Sequence, residues 1–143
     1  MQKKIEEAKI EQNVELQEIG VAELGSEEAE SYDVVMATLC FSELTEDELR
    51  YTLKEVKRML KPGGHLLVAD EIIPKSIPKM IFNWLIRAPL SLVTYLITQT
   101  TTHAVKNLPE KIKETELQID TIRLNKMKNF IELVARKPKE QSK

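Results

Sequence analysis

Glycine is scarce, with only four in 143 residues, at positions 20, 25, 63 and 64. Neither G-x-x-x-x-G-K-[ST] nor G-x-G-x-x-G is present, so neither phosphate-cradling loop is expected. Cysteine is rarer still. Cys40 stands alone, so an internal disulfide is excluded and a reducing cytoplasm is the compartment that fits. It has no base at a telling spacing and reads as a small buried apolar residue rather than a nucleophile. Only two histidines are present, His65 and His103, and they form no ligand pattern with Cys40 or each other. No metal site is expected. Charge of one sign is also missing: the formal net charge is −2 and the pI about 5.8, so general affinity for nucleic acid is not expected. The opening "MQKKIEEAKIEQ" lacks the apolar core of a signal peptide and reads as a helix already under way.

What is present suits one folded domain over 1–143. Hydrophobic residues make up 42% and charged residues 31%, enough to build a core. The longest apolar stretch, "MIFNWLIRAPLSLVTYLI" at 80–97, approaches the length of a membrane span. Arg87 and Pro89 break it, and a central Arg costs about 2.5–3.5 kcal/mol on insertion. The reading is two short helices meeting at Pro89, part of a helical cap insertion over 75–115 that covers a pocket. Contact with a membrane surface is the rival for this stretch.

Periodicity places the other elements. Residues 2–12 read as a helix, with Ile5, Ala8 and Ile10 as its apolar side. "VELQEI" (14–19) alternates as a half-buried strand does, and "GSEEAES" (25–31) reads as a solvated acidic loop. "YDVVMATLCF" (32–41) is a continuous β-branched run, as in a parallel strand covered on both faces. Thr45 and Glu48 then form a capping box, and Leu49, Leu53, Val56 and Leu60 form one apolar stripe. This predicts a helix over 45–60, stopped by Pro62-Gly63-Gly64, with "HLLVAD" (65–70) as the next buried strand. Strand, helix, strand is a βαβ unit. Residues 103–115 read as helical, interrupted early by Pro109. "LQIDTIRLN" (117–125) and "NFIELVARKP" (129–138) read as an antiparallel hairpin lying beside strand 65–70. The class is α/β, mostly parallel with an antiparallel end.

Ligands in open α/β sheets sit beyond the carboxyl ends of the strands. Thr38, Cys40, Ser42 and Glu43 fall there after the first buried strand, and Asp70 and Glu71 after the second. Residues 20–23 follow "VELQEI" in the same way. Asp70 and Glu71 thus face either a ligand crevice or the solvated mouth of a loop. Asp33 lies at the opposite end of its strand and reads as structural.

Residues 31–71, "SYDVVMATLCFSELTEDELRYTLKEVKRMLKPGGHLLVADE", resemble the strand four, helix, strand five segment of class I S-adenosylmethionine-dependent methyltransferases. "LKEVKRMLKPGG" is close to the family's recurring wording, and the hairpin ending "FIELVARKP" is similar to its strands six and seven. The group meant is the methyltransferase type 11, ubiquinone-biosynthesis-like kind. A narrower resemblance, through "APLSLVTYLITQTTTHAV", is to corrinoid protein-associated methyltransferases. The likeness implies a Rossmann-like sheet, S-adenosylmethionine as cofactor and a methyl acceptor as partner. It also implies that Val21, Ala22, Thr38 and Cys40 border the cofactor and that Ser42 and Glu43 lie on the substrate side. Asp70 or Glu71 would orient the acceptor or take its proton.

The departures are equally specific. The family's glycine-rich cofactor turn, and the acid ending its second strand, would lie upstream of Met1, so the sheet is expected to be N-terminally truncated. Gly20-Val21-Ala22 stands where the family often has Gly-Asp-Ala, and Val21 cannot accept a hydrogen bond from adenine. Glu116-Leu117 replaces a common Gly-Phe. Two functions therefore compete: a methyltransferase whose cofactor half comes from another chain or is missing, and a non-catalytic remnant or interaction module. A third is a membrane-surface protein. With the family's first two strands absent, strand 33–39 becomes an apolar sheet edge, expected to be covered by "VELQEI", by a second copy, or by a complementing chain.

Overall fold

The computed structural model describes residues 13–73 and 104–139. The expected helix 2–12, the stretch 80–97 and most of the cap 75–115 lie outside the described residues. Four strands form one sheet in the order β1-β2-β4-β3, with β1 Tyr32–Thr38, β2 Leu60–Glu71, β3 Gln118–Leu124 and β4 Phe130–Arg136. β1 and β2 are parallel, as the βαβ reading requires, while β2 with β4 and β3 with β4 are antiparallel. The sheet is a mixed Rossmann-like one with the hairpin beside the second strand.

Helix α1, Glu46–Met59, joins β1 to β2. Its start is written in the local sequence. Glu48 N–H donates to Thr45 Oγ1 at 3.3 Å, and Thr45 N–H donates to Glu48 Oε2 at 2.8 Å. The Thr45 hydroxyl, which donates to the same Oε2 at 2.7 Å, and then the Thr45 N–H hold the Glu48 carboxyl below the ordinary glutamate range. Acids fill the first turn and Lys57 and Arg58 the last, each matched to the helix dipole. Leu49, Leu53 and Val56 are buried against the sheet face carrying Ala37, Leu66, Val68, Leu133 and Ala135. Along β2 the alternation is regular, with Leu66, Val68 and Asp70 inward and His65, Leu67 and Ala69 half-buried on the other face. The second helix, α2 (Leu108–Glu114), adds Leu108 and Ile112 to the same core. Lys111 ties it to α1 through Glu46, whose carboxyl that ion pair holds low.

The run 32–41 is not a strand covered on both faces: β1 stops at Thr38, and Val34 and Met36 are exposed. Four further expectations change. The Pro-Gly-Gly does not separate helix from strand: β2 begins at Leu60 and runs through it. Tyr32 pairs with Leu60 and Val34 with His65, so 61–64 bulge out of register. Gly63 adopts φ +84°, and its N–H donates to the Lys137 carbonyl at 2.9 Å. The Lys137 N–H in turn donates to the Gly64 carbonyl at 2.9 Å. Pro62 is exposed there, at the position where a strand tolerates a missing donor. Second, Pro109 opens α2 rather than interrupting a longer helix, because a first-turn N–H has no intrahelical partner to lose. Third, "VELQEI" forms no strand: residues 14–20 have no regular secondary structure, and Val14, Leu16 and Ile19 are exposed. Alternation alone gives no strand without a neighbour. Fourth, the acidic loop begins later than 25, since Val21–Ser26 is a 3₁₀ turn packed on α1. Among the described residues no helix is long and apolar enough to cross a membrane.

Candidate functional site at the strand ends

β1 ends at Thr38, which is paired in register with Ala69 of β2. The chain then makes a sharp departure. Leu39 takes φ +51°, a left-handed conformation uncommon for a residue with a bulky side chain, and its N–H donates to the Ala69 carbonyl at 2.9 Å. Phe41–Glu43 close a single 3₁₀ turn, with Glu43 N–H on the Cys40 carbonyl, and Leu44 leads into the Thr45 cap. The left-handed step lets the turn fold back over the end of β2.

Asp70 holds it there. The residue is fully buried, and both carboxylate oxygens accept backbone N–H groups: Oδ2 from Phe41 at 2.8 Å and Oδ1 from its neighbour Glu71 at 2.7 Å. A buried carboxylate is tolerable only with such partners. Asp70 therefore points into the core beneath the loop rather than into a crevice. Pleating sends Glu71 to the opposite face, where it is half-buried opposite Phe130.

The structure thus gathers Cys40, Ser42, Glu43 and Asp70 round one loop, with Thr38 at its root. Ser42 is only 2% exposed, while Thr38, Cys40 and Glu43 are exposed. Although Cys40 is an exposed residue, desolvation round its thiol and then the Asp70 charge push its pKa up. Cys40 is exposed at the rim rather than the small buried residue expected from the sequence, because β1 ends at Thr38 and the chain turns away at Leu39. Val21 and Ala22 are held against α1, where the Tyr51 hydroxyl donates to the Ala22 carbonyl at 3.4 Å. Among the described residues no group of acids, histidine and cysteine could hold a metal ion. Leu39 and Phe41 were not legible as site residues, for nothing in a leucine signals positive φ.

Comparison with known proteins bears on this geometry. Residues 1–68 match a family model described as a methyltransferase domain. No curated protein sequence matches the chain. Among solved structures, an O-methyltransferase family protein from Burkholderia thailandensis is similar with a TM-score of 0.71 at 19% identity, covering 98% of this chain and 40% of that one. The [4+2]-cyclase SpnF gives 0.72 at 13% identity, over 96% and 61%. A 1,6-didemethyltoxoflavin-N1-methyltransferase from B. thailandensis, solved with S-adenosylhomocysteine, gives 0.59 at 12% identity, over 84% and 49%. The chain spans between 40% and 61% of the length of these neighbours. Taken with the sheet order and the βαβ unit, these likenesses show that the chain has the fold of the class I S-adenosylmethionine-dependent methyltransferases.

Proposed function

We propose that the chain takes part in S-adenosylmethionine-dependent methyl transfer, as a portion of a class I methyltransferase domain. The observation that carries this reading is the rim at the carboxyl ends of β1 and β2, where Asp70 pins the turn that follows Thr38. The cyclase among the neighbours shows why the fold cannot carry it alone. The neighbour solved with S-adenosylhomocysteine supports the cofactor class.

The rim fits the uncharged side of such a cofactor. Thr38, Leu39 and Cys40 are exposed along it, and the resemblance adds Val21 and Ala22. It does not fit the charged amino-acid end, since the described residues hold no glycine-rich turn with clustered N–H groups at a helix start. When bound, the cofactor supplies an electrophilic methyl group on a sulfonium. The chain's part is alignment, the main requirement of such a transfer. Thr38 and Cys40 border the cofactor, and the turn at Ser42 and Glu43 borders the acceptor. Glu71 orients the acceptor or takes its proton, and Asp70 acts through the loop it holds. The lone Cys40 suits the reducing cytoplasm.

Titration calorimetry with S-adenosylmethionine tests this reading. The isolated chain is expected to bind with a dissociation constant of about 1 mM or weaker, near −4 kcal/mol. Micromolar binding would contradict the fit just described. A complete absence of binding heat would favour the rival, a non-catalytic module that kept the fold.

A further inference from the structure

Arg58 lies in the last turn of α1, but its head group serves another element. Its Nε donates to Glu55 Oε2 at 2.7 Å, three residues earlier on the same helix. With Nε so fixed, Nη2 reaches the 3₁₀ turn Val21–Ser26, donating to the Leu24 carbonyl at 3.1 Å and the Gly25 carbonyl at 3.4 Å. Carbonyls at the end of a helical turn find no partner within it, and this one has no basic residue of its own in its last turn. Arg58 supplies the cation from α1. Its planar fork holds a carboxylate with one arm and two carbonyls with another, and bonds from a charged donor are stronger than neutral ones. A second contact fixes the beginning of the turn. The Tyr51 hydroxyl, in the second turn of α1, donates to the Ala22 carbonyl at 3.4 Å, and a methyl group on Gly25 would stand 2.9 Å from that hydroxyl. Ala22 therefore lies beside the second turn of α1, while Leu24 and Gly25 reach its last. Because α1 starts at the Thr45 cap, just beyond the loop that Asp70 pins, the 3₁₀ turn has its beginning toward the rim and its end away from it.

We propose that Arg58 is a positioning residue for the cofactor-bordering pair Val21 and Ala22, an inference that rests on the methyl-transfer reading. By clamping the far end of the turn onto α1, Arg58 keeps its near end on the rim side of the helix. Glu55 orients the clamp, and Arg58 acts only through the turn it holds. The same end of α1 receives the chain that follows: Glu30 N–H donates to the Arg58 carbonyl and Ser31 N–H to the Met59 carbonyl, each at 3.0 Å. The turn and the start of β1 are thus anchored at one place, and the separation between Ala22 and the rim is set from there. This gives Glu55 and Arg58 of "LKEVKRMLKPGG" a function besides helix formation.

Arg58→Met, which keeps the apolar stem and removes the fork, is the test, with two readouts on the isotope-labelled full chain. Amide exchange without ligand reads the clamp. Glu23 and Glu27, whose N–H groups close the turn on the Gly20 and Leu24 carbonyls, should exchange about tenfold faster or more, with Leu53 and Val56 of α1 unchanged. Titration with S-adenosylhomocysteine reads the consequence: shifts at Val21 and Ala22 should largely disappear, while those from Thr38 to Glu43 remain. A general loss of stability would lower both sets together. Arg58→Lys keeps the charge without the fork and should restore part of both effects; it also decides the matter if Arg58→Met does not fold. Unchanged exchange in the turn would overturn the clamp. Faster exchange with native shifts at Val21 and Ala22 would overturn the positioning role. A native chain with no shifts along the rim would overturn the methyl-transfer reading and this role with it. The exchange contrast would still appear in that case, so the two failures are told apart.

Discussion

Replacing Asp70 with Ala is expected to destabilise the chain by about 3–5 kcal/mol, since hydrogen bonds to a charged group contribute about 1.5–3 kcal/mol each and two would be lost. Phe41 N–H and Glu71 N–H would be left buried without the carboxylate they donate to. Against a total stability of about 5–15 kcal/mol, this is a large share. Urea denaturation followed by circular dichroism reads it as a fall in midpoint with little change in slope. Asp70→Asn should cost less, because its carbonyl can still accept one N–H while its amide group faces the other as a second donor. Asp70→Asn has a further readout at the rim. Desolvation is the larger cause of the raised Cys40 pKa, but the Asp70 charge adds to it. Removing that charge should bring the thiol part of the way back toward its ordinary 9.0 and speed its alkylation at mildly alkaline pH. Unchanged stability in Asp70→Ala would mean that the loop does not depend on this carboxylate.

Gly64→Ala is expected to cost about 2–3 kcal/mol, toward the upper end of the usual overpacking range. A methyl group there would stand 2.9 Å from the Lys61 carbonyl oxygen, 3.1 Å from that of Asp33 and 3.2 Å from that of Tyr32. All three are backbone atoms and cannot swing aside as a side-chain tip could. Moving them means shifting β1 against β2 at the bulge, upstream of the rim. Gly20→Ala is the matched control, since a methyl there meets nothing within 4 Å. Thermal unfolding of the two variants measures the contrast. Equal midpoints would show that the close approach of β1 and β2 at Gly64 carries no constraint.

The parts of the fold that could be read in advance were those with local causes. Thr45 and Glu48 cap α1 from three residues apart, and the stripe of Leu49, Leu53 and Val56 needs only the helical period to be seen. The hairpin of β3 and β4 likewise joins neighbours in sequence. What escaped the sequence depended on distant partners. Pro62-Gly63-Gly64 has the composition of a turn, and only the two hydrogen bonds to Lys137 make it a bulge within β2. "VELQEI" has the pattern of a strand, but the described residues provide no partner for it. At the site, Asp70 was legible as a carboxylate at a strand end. Its inward direction follows from the pleat shared with Leu66 and Val68, and its role from a turn that Leu39 makes possible. An acid at that place reads equally well as facing a ligand or anchoring a loop until the partners of both oxygens are known.

We propose that the carboxyl-end rim of β1 and β2 is where this chain meets a methyl-donor cofactor. Amide chemical-shift mapping of the isotope-labelled chain during titration with S-adenosylhomocysteine tests it most directly, because it locates even weak binding. Fast-exchange shifts are expected to grow through the millimolar range and to concentrate at Val21, Ala22 and the segment Thr38 to Glu43, with residues 118–124 of β3 unmoved. Shifts confined to β3, or none at all at saturating ligand, would contradict it.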